Sequence, residues 1–170
     1  LAEWFEARKH KELLYRFFAP QIEEGKRYPL VLSLHGAGGK GDDNLKNLKP
    51  WNGVIVQADF QSRYPCFVVA PQSDQPWRKP DSVPELSEEL VASYSEGWQI
   101  MLKRRKGMSD PGTDAKLGLT FELLDSLAAK YPVDTNRVYV LGHSMGGVGT
   151  FECLAVAPDR FAAGIPSAGG

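Results

Sequence analysis

The stretch Val138-Tyr139-Val140-Leu141-Gly142-His143-Ser144-Met145-Gly146-Gly147 decides the reading of this chain. Four apolar residues run into Gly-x-Ser-x-Gly, and a helix-like segment, Gly147 to Ala157, follows. Strand, sharp turn and helix form the context in which this pattern marks a serine nucleophile rather than an ordinary turn. The turn brings neighbouring backbone close to the serine, so side chains two positions away on either side would collide. Gly142 and Gly146 remove them. Ser144 is thereby expected to project its hydroxyl above the sheet. Met145 presents its backbone N–H at a helix start, where the helix dipole favours a developing oxyanion.

On the N-terminal side, Leu117, Phe121, Leu124 and Ala128 recur at helical spacing, with Asp114 as a candidate cap and Tyr131-Pro132 as the stop. A turn over Val133 to Arg137 is expected to lead into the serine strand. On the C-terminal side, Pro158 ends the serine helix and Phe161 to Ile165 reads as a short strand.

Further upstream, Pro29 to Leu34 is an almost continuous apolar run, as expected of a central parallel strand covered on both faces. It runs into His35-Gly36-Ala37-Gly38-Gly39, where the N–H of Ala37, or of Gly38, is a candidate second oxyanion donor. A phosphate loop would need Gly-x-Gly-x-x-Gly or Gly-x-x-x-x-Gly-Lys-Ser/Thr, which Gly36, Gly38, Gly39 and Gly41 do not form. His35 reads as a scaffold for the loop backbone. Gly41-Asp42-Asp43-Asn44 reads as a turn or helix start. Val54-Ile55-Val56 looks strand-like, and Gln57 to Arg63 looks like a short helix.

Cys66 to Ala70 is a further buried strand, and Gln72 to Trp77 leave its C-terminal end, which faces the ligand crevice in open parallel sheets. Gln72 and Trp77 are therefore substrate-site candidates, with aromatic packing under a loop as the alternative for Trp77. Glu3 to Arg8 and Leu13 to Ala19 read as an antiparallel edge hairpin around Lys9 to Glu12, which puts His10 in the turn and at the surface. Residues 80–112 read as an excursion from the sheet, either a lid or padding of the rim. Strands alternating with helices imply a single α/β domain with a mainly parallel sheet.

Composition narrows the function. The 170 residues carry a net charge of −1, against the basic excess of nucleic-acid binders, and 42% of them are hydrophobic, against disorder. No apolar stretch approaches the roughly 20 residues of a membrane span, so a soluble chain is expected. The first residue is Leu1, which leaves open a secretion signal removed upstream. Cys66 and Cys153 lack metal-ligand spacing and read as buried thiols, and neither a metal nor a cofactor is expected.

Pro29 to Gly39, Gly41 to Asn44, Cys66 to Gln72 and Asp134 to Gly147 together resemble the α/β-hydrolase superfamily. More narrowly, they resemble its esterase group, which includes polyhydroxybutyrate-depolymerase-like and feruloyl-esterase-like enzymes and predicted peptidases. The resemblance implies Ser144 as nucleophile, oxyanion donors at Met145 and Ala37, and cleavage of small or carbohydrate-linked esters through an acyl-enzyme. His143, Gln72 and Trp77 are the expected substrate contacts. Such folds take the catalytic acid and then the histidine from strands after the nucleophile. The 26 residues after Ser144 contain Glu152 and Asp159 but no histidine. An incomplete triad follows, to be completed by a complementary C-terminal segment or a second chain. A serine peptidase of the same fold and a non-catalytic binding domain are the alternatives.

Overall fold

The computed structural model describes residues 1–77 and 113–169. The excursion read over 80–112 lies outside the described residues. Six strands form one sheet: β1 (Glu6–His10), β2 (Leu13–Phe18), β3 (Tyr28–Leu34), β4 (Phe67–Gln72), β5 (Val133–His143) and β6 (Ala163–Ser167). Their spatial order is β1-β2-β4-β3-β5-β6. The first three pair antiparallel, whereas β4, β3, β5 and β6 run parallel. Strand β3 lies between two parallel neighbours, as its apolar run demands.

Helices α1 (Pro50–Ile55) and α2 (Ala58–Arg63) follow β3, α3 (Thr113–Lys130) precedes β5, and α4 (Met145–Val156) follows it. The longer helices build the main core on one face. Leu117, Leu123, Leu124 and Leu127 of α3 and Cys153 of α4 bury against Leu30, Leu32, Phe67, Val69 and Val140 of the sheet. On the other face Phe5, Val56, Cys66 and Val68 cluster with Phe18, Val31, Ile55 and Phe60. Both cysteines are free and buried; burial pushes the Cys153 thiol up to about 12.

Four local expectations are corrected. Val54-Ile55-Val56 belongs to the end of α1 rather than to a strand, because Pro50 sits in the first turn, where its missing N–H costs nothing. Asp114 lies inside α3, which starts at Thr113. The hairpin turn shrinks to Lys11-Glu12, with Lys11 at φ 50°, so His10 is the last residue of β1. Its half-buried ring lies 3.7 Å from Glu122. Finally, Val133 to Arg137 is not a separate turn. It is the exposed start of an eleven-residue β5, where the register against β3 shifts between Tyr28 and Leu30.

Beyond β5 the second face is bare among the described residues. Tyr139 pairs with Ala163 and Leu141 with Ile165, which places these four on one face. Tyr139 and Leu141 are only half-buried there, Ala163 is exposed, and Ile165 is 67% exposed. Within the described sheet β6 pairs with β5 alone.

Candidate active site

Strand β5 ends at His143 and α4 begins at Met145, so Ser144 alone makes the turn. Its backbone stands at φ 56°, ψ −118°. A side chain in that region costs on the order of 1–3 kcal/mol and persists only where the surroundings enforce it. Here they do so through hydrogen bonds and close packing. The Ser144 N–H donates to Ser167 O on β6 at 2.8 Å, and Ser144 O accepts from Val148 N–H at 3.0 Å. A Cβ on Gly142 would stand 2.2 Å from Gly146 O, and one on Gly146 would stand 2.2 Å from Leu34 O. Both positions therefore require glycine, for the reason the motif's spacing suggested. Ser144 itself is exposed.

The loop after β3 lies directly beside this turn. A Cβ on Gly36 would be 3.6 Å from Ser144 Cβ and 3.1 Å from His143 O. Ala37 opens a single 3-10 turn, Ala37–Gly39, and Met145 opens α4. First residues of helical turns have no intrahelical acceptor for their N–H. Two backbone donors thus belong to segments that converge on Ser144. His143 is exposed, with Nδ1 3.8 Å from the point a Gly36 Cβ would occupy.

His35 is the buried hub under the loop. Its Nε2 accepts from Ser73 N–H at 3.0 Å, which leaves Nδ1–H to donate to Gly36 O at 2.8 Å. Burial pushes its pKa down to about 4, with the Gly36 bond opposing and Lys49 and Lys40 adding to the depression. The imidazole is therefore neutral at physiological pH. An unfolded histidine titrates near 6.5, so in the window between about 6.5 and about 4 the unfolded chain binds the extra proton. The stabilisation is complete above the unfolded pKa and falls by about 3 kcal/mol as pH drops through that window. Urea unfolding at pH 7 and pH 4.5 should show this loss in the wild type and a smaller one in His35→Gln. Equal losses would contradict the assignment.

Trp77 and Gln72 do not line open space. Trp77 is fully buried; its indole N–H donates to His35 O at 2.9 Å, and its ring meets the imidazole edge-on with centroids 5.0 Å apart. The packing alternative, not a substrate wall, describes its position. Gln72 is 2% exposed, with Nε2 donating to Gly39 O at 3.1 Å and to Asp43 Oδ1 at 2.9 Å. Its Oε1 accepts from the Asn44 N–H. All of its amide chemistry is spent inside the protein.

The sequence reading missed the polar knot behind the loop. Asp43 accepts from the N–H groups of Lys46 and Leu45 as well as from Gln72, and these bonds, Lys46's first, hold its carboxyl well below the usual range. Buried Asn44, at φ 50°, donates to Tyr15 O and accepts from Asn47, which also reaches Ala70 O. The available signal was Asp43-Asn44, two residues that bond to nearby backbone and tolerate unusual turns. In sequence it reads as a turn or helix start. No group of His, Cys, Asp and Glu that could hold a metal ion occurs among the described residues.

The strand order, the antiparallel hairpin at one edge and the strained serine between strand and helix define an α/β-hydrolase fold. The family described as "Putative esterase" matches residues 10–168, and this chain belongs to that family. Among curated proteins it is similar to "Putative esterase NocK" of Nocardia uniformis subsp. tsuyamanensis, 26% identical over 152 residues. That match covers 89% of this chain and 35% of NocK. Over 48 residues the chain is 35% identical to the bifunctional acetylxylan esterase/xylanase XynS20E of Neocallimastix patriciarum, covering 28% of this chain and 7% of that protein. Among solved structures, a thermostable esterase superposes with a TM-score of 0.73 at 30% identity, over 99% of this chain and 42% of that one. The acetyl xylan esterase of Aspergillus awamori shares the fold at a TM-score of 0.54 and 16% identity, over 94% of this chain and 50% of that one. The chain thus spans between a third and a half of NocK and of both solved esterases.

Proposed function

We propose that this chain is the nucleophile-bearing part of a serine carboxylic ester hydrolase that acts on small or carbohydrate-linked esters. The carrying observation is the strained, exposed Ser144 between β5 and α4. In this reading the Ser144 hydroxyl attacks the ester carbonyl and gives up its proton to a base. The carbonyl oxygen takes the negative charge in reach of the Met145 and Ala37 N–H groups. Collapse expels the alcohol, which takes the proton back from the base, and leaves an acyl-enzyme, which water, activated by the same base, then hydrolyses to release the acid and restore the serine hydroxyl. His143, exposed beside Gly36, is the proposed substrate contact. The carbohydrate part of the reading rests on the 48-residue likeness to XynS20E, whose name includes acetylxylan esterase.

The base comes from outside these residues. Among the described residues Ser144 makes no hydrogen bond to a histidine. His35 spends both ring nitrogens on backbone, and His10 sits on β1, with three strands between it and β5. The face over half-buried Tyr139 and Leu141 and exposed Ala163 and Ile165 is where a complementary segment would bury apolar surface and bring the acid and histidine with it. Each well-buried side chain of this kind contributes about 1.5–3 kcal/mol.

Substrate class is tested by comparing p-nitrophenyl acetate with peptide p-nitroanilides on a protein that contains this sequence and the complementary segment. The proposal expects ester turnover with kcat/KM at least about a hundredfold above any anilide, and a fluorophosphonate that blocks it. Preferred anilide cleavage would establish a peptidase instead, and absence of both activities and of labelling would establish a binding domain.

A further inference from the structure

We infer that Gln72 is a positioning residue for ester hydrolysis: from the end of β4 its side-chain amide fixes the carbonyl of Gly39, and so sets the turn that carries the Ala37 N–H beside Ser144. The inference rests on the serine-hydrolase reading and adds to it the device that holds one wall of the site in place.

Three carbonyls of residues 35–39 are bound by side-chain donors. His35 O accepts from the Trp77 indole at 2.9 Å, Gly36 O faces the His35 imidazole at 2.8 Å, and Gly39 O accepts from Gln72 at 3.1 Å. His35 is itself tied to the same downstream segment through Ser73 N–H at 3.0 Å. Further along, Gly41 N–H donates to Ser73 O at 3.3 Å. Apart from the local His35–Gly36 bond, these links run to the last residue of β4 or to the chain just after it.

Elementary geometry gives these bonds a purpose. In a peptide plane the C=O and the following N–H point in opposite directions, so pinning a carbonyl inward fixes the N–H of that plane outward. The pinned Gly36 carbonyl shares its plane with the Ala37 N–H. The turn is closed by the Gly39 N–H to Gly36 O bond at 2.9 Å, so Gly39 and Gly36 move as one unit. Without Gln72, the far end of the turn loses its side-chain anchor while the near end keeps His35 and Trp77. A pivot about Gly36 is the motion left available.

Gln72 also suits the task chemically. A donor to Gly39 O and an acceptor for Asn44 N–H are needed at one buried position, and a primary amide supplies both. The knot behind it keeps the amide from turning over, because Nε2 donates to Asp43 Oδ1 as well.

Two substitutions separate positioning from mere support. Gln72→Glu keeps an acceptor for the Asn44 N–H but, as a carboxylate, cannot donate to Gly39 O. Gln72→Met keeps size and burial with no polar atom, and serves also if the charged variant does not fold. Both are measured in the full protein that carries this sequence, with p-nitrophenyl acetate below the melting temperature of each variant. Misplacing a catalytic group by an ångström costs about a hundredfold, so kcat should fall about tenfold to a hundredfold in both, with KM within about threefold of the wild type. A kcat within twofold of the wild type for either folded variant would overturn the inference, as would a loss confined to KM. So would a loss that disappears on cooling to 15 °C in step with recovered native signal. If the wild type itself shows no Ser144-dependent turnover, the inference falls together with the reading it rests on. An active wild type with unaffected variants removes the inference alone.

Discussion

Ser144→Ala, in a protein that includes the complementary segment, is expected to lower turnover of p-nitrophenyl acetate by about 10⁴ to 10⁶-fold. The magnitude follows from the hydroxyl being the group that forms the covalent intermediate in the proposed mechanism. A residual rate of about 10³ to 10⁴ over water can persist from oxyanion binding and substrate placement. The fold should survive the change. Ser144 is exposed, its strained backbone is held by main-chain bonds from Ser167 and Val148, and an alanine keeps both. Thermal unfolding of the variant should therefore lie within a few degrees of the wild type, as for surface substitutions in general. A comparable melting curve with near-normal ester hydrolysis would end the assignment of Ser144.

The second large effect concerns residues 1–170 by themselves. A serine hydroxyl near neutral pH is a weak nucleophile and needs a base within hydrogen-bond reach. Of the three histidines, His35 is buried, neutral and doubly bonded to backbone. His10 is on the far edge of the sheet beside Glu122. His143 adjoins Ser144 without a hydrogen bond to it among the described residues. The expected result is ester turnover lower by about 10⁴ to 10⁶-fold than in the longer protein. Strand β6, which pairs with β5 alone among the described strands, and the exposed Ile165 on it should also make the isolated chain prone to association. Size-exclusion chromatography and p-nitrophenyl acetate assays on the same preparation check both. Comparable Ser144-dependent rates in the two proteins would show that a base exists within residues 1–170, with His143 the first to examine.

What was legible in advance follows a physical pattern. The parallel strands and the serine turn could be read because each is dictated locally: continuous apolar runs for β3 and β4, and glycines at 142 and 146 that no other residue can replace in the observed packing. Val54-Ile55-Val56 misled because β-branched residues favour strands as a weak prior, and the Pro50 start together with packing against Phe5 and Cys66 overrode it. Gln72 ends β4 and Trp77 follows it, yet their roles depend on partners 33 and 42 residues away in sequence, Gly39 and His35. A single sequence does not announce such long-range pairings. A polar or aromatic residue after a buried strand can face a ligand or support a loop from beneath, and only the fold decides between them.

The same distinction applies to His35. In sequence it adjoins the glycine loop, where the scaffold reading outweighs a catalytic imidazole. Burial and two backbone partners make it a fixed neutral strut. The proposed site would thus have a buried foundation of His35, Gln72 and Trp77 below two backbone donors and Ser144, the arrangement expected where preorganised dipoles rather than mobile side chains stabilise charge.

The central claim, that Ser144 is the covalent nucleophile, is tested most directly by treating the full protein with a fluorophosphonate and locating the adduct by peptide mass spectrometry. The account predicts one adduct per chain, on the peptide containing Ser144, with loss of ester turnover in proportion to labelling. An adduct on any other residue that abolishes turnover, or full ester turnover in a protein completely labelled at Ser144, would contradict it.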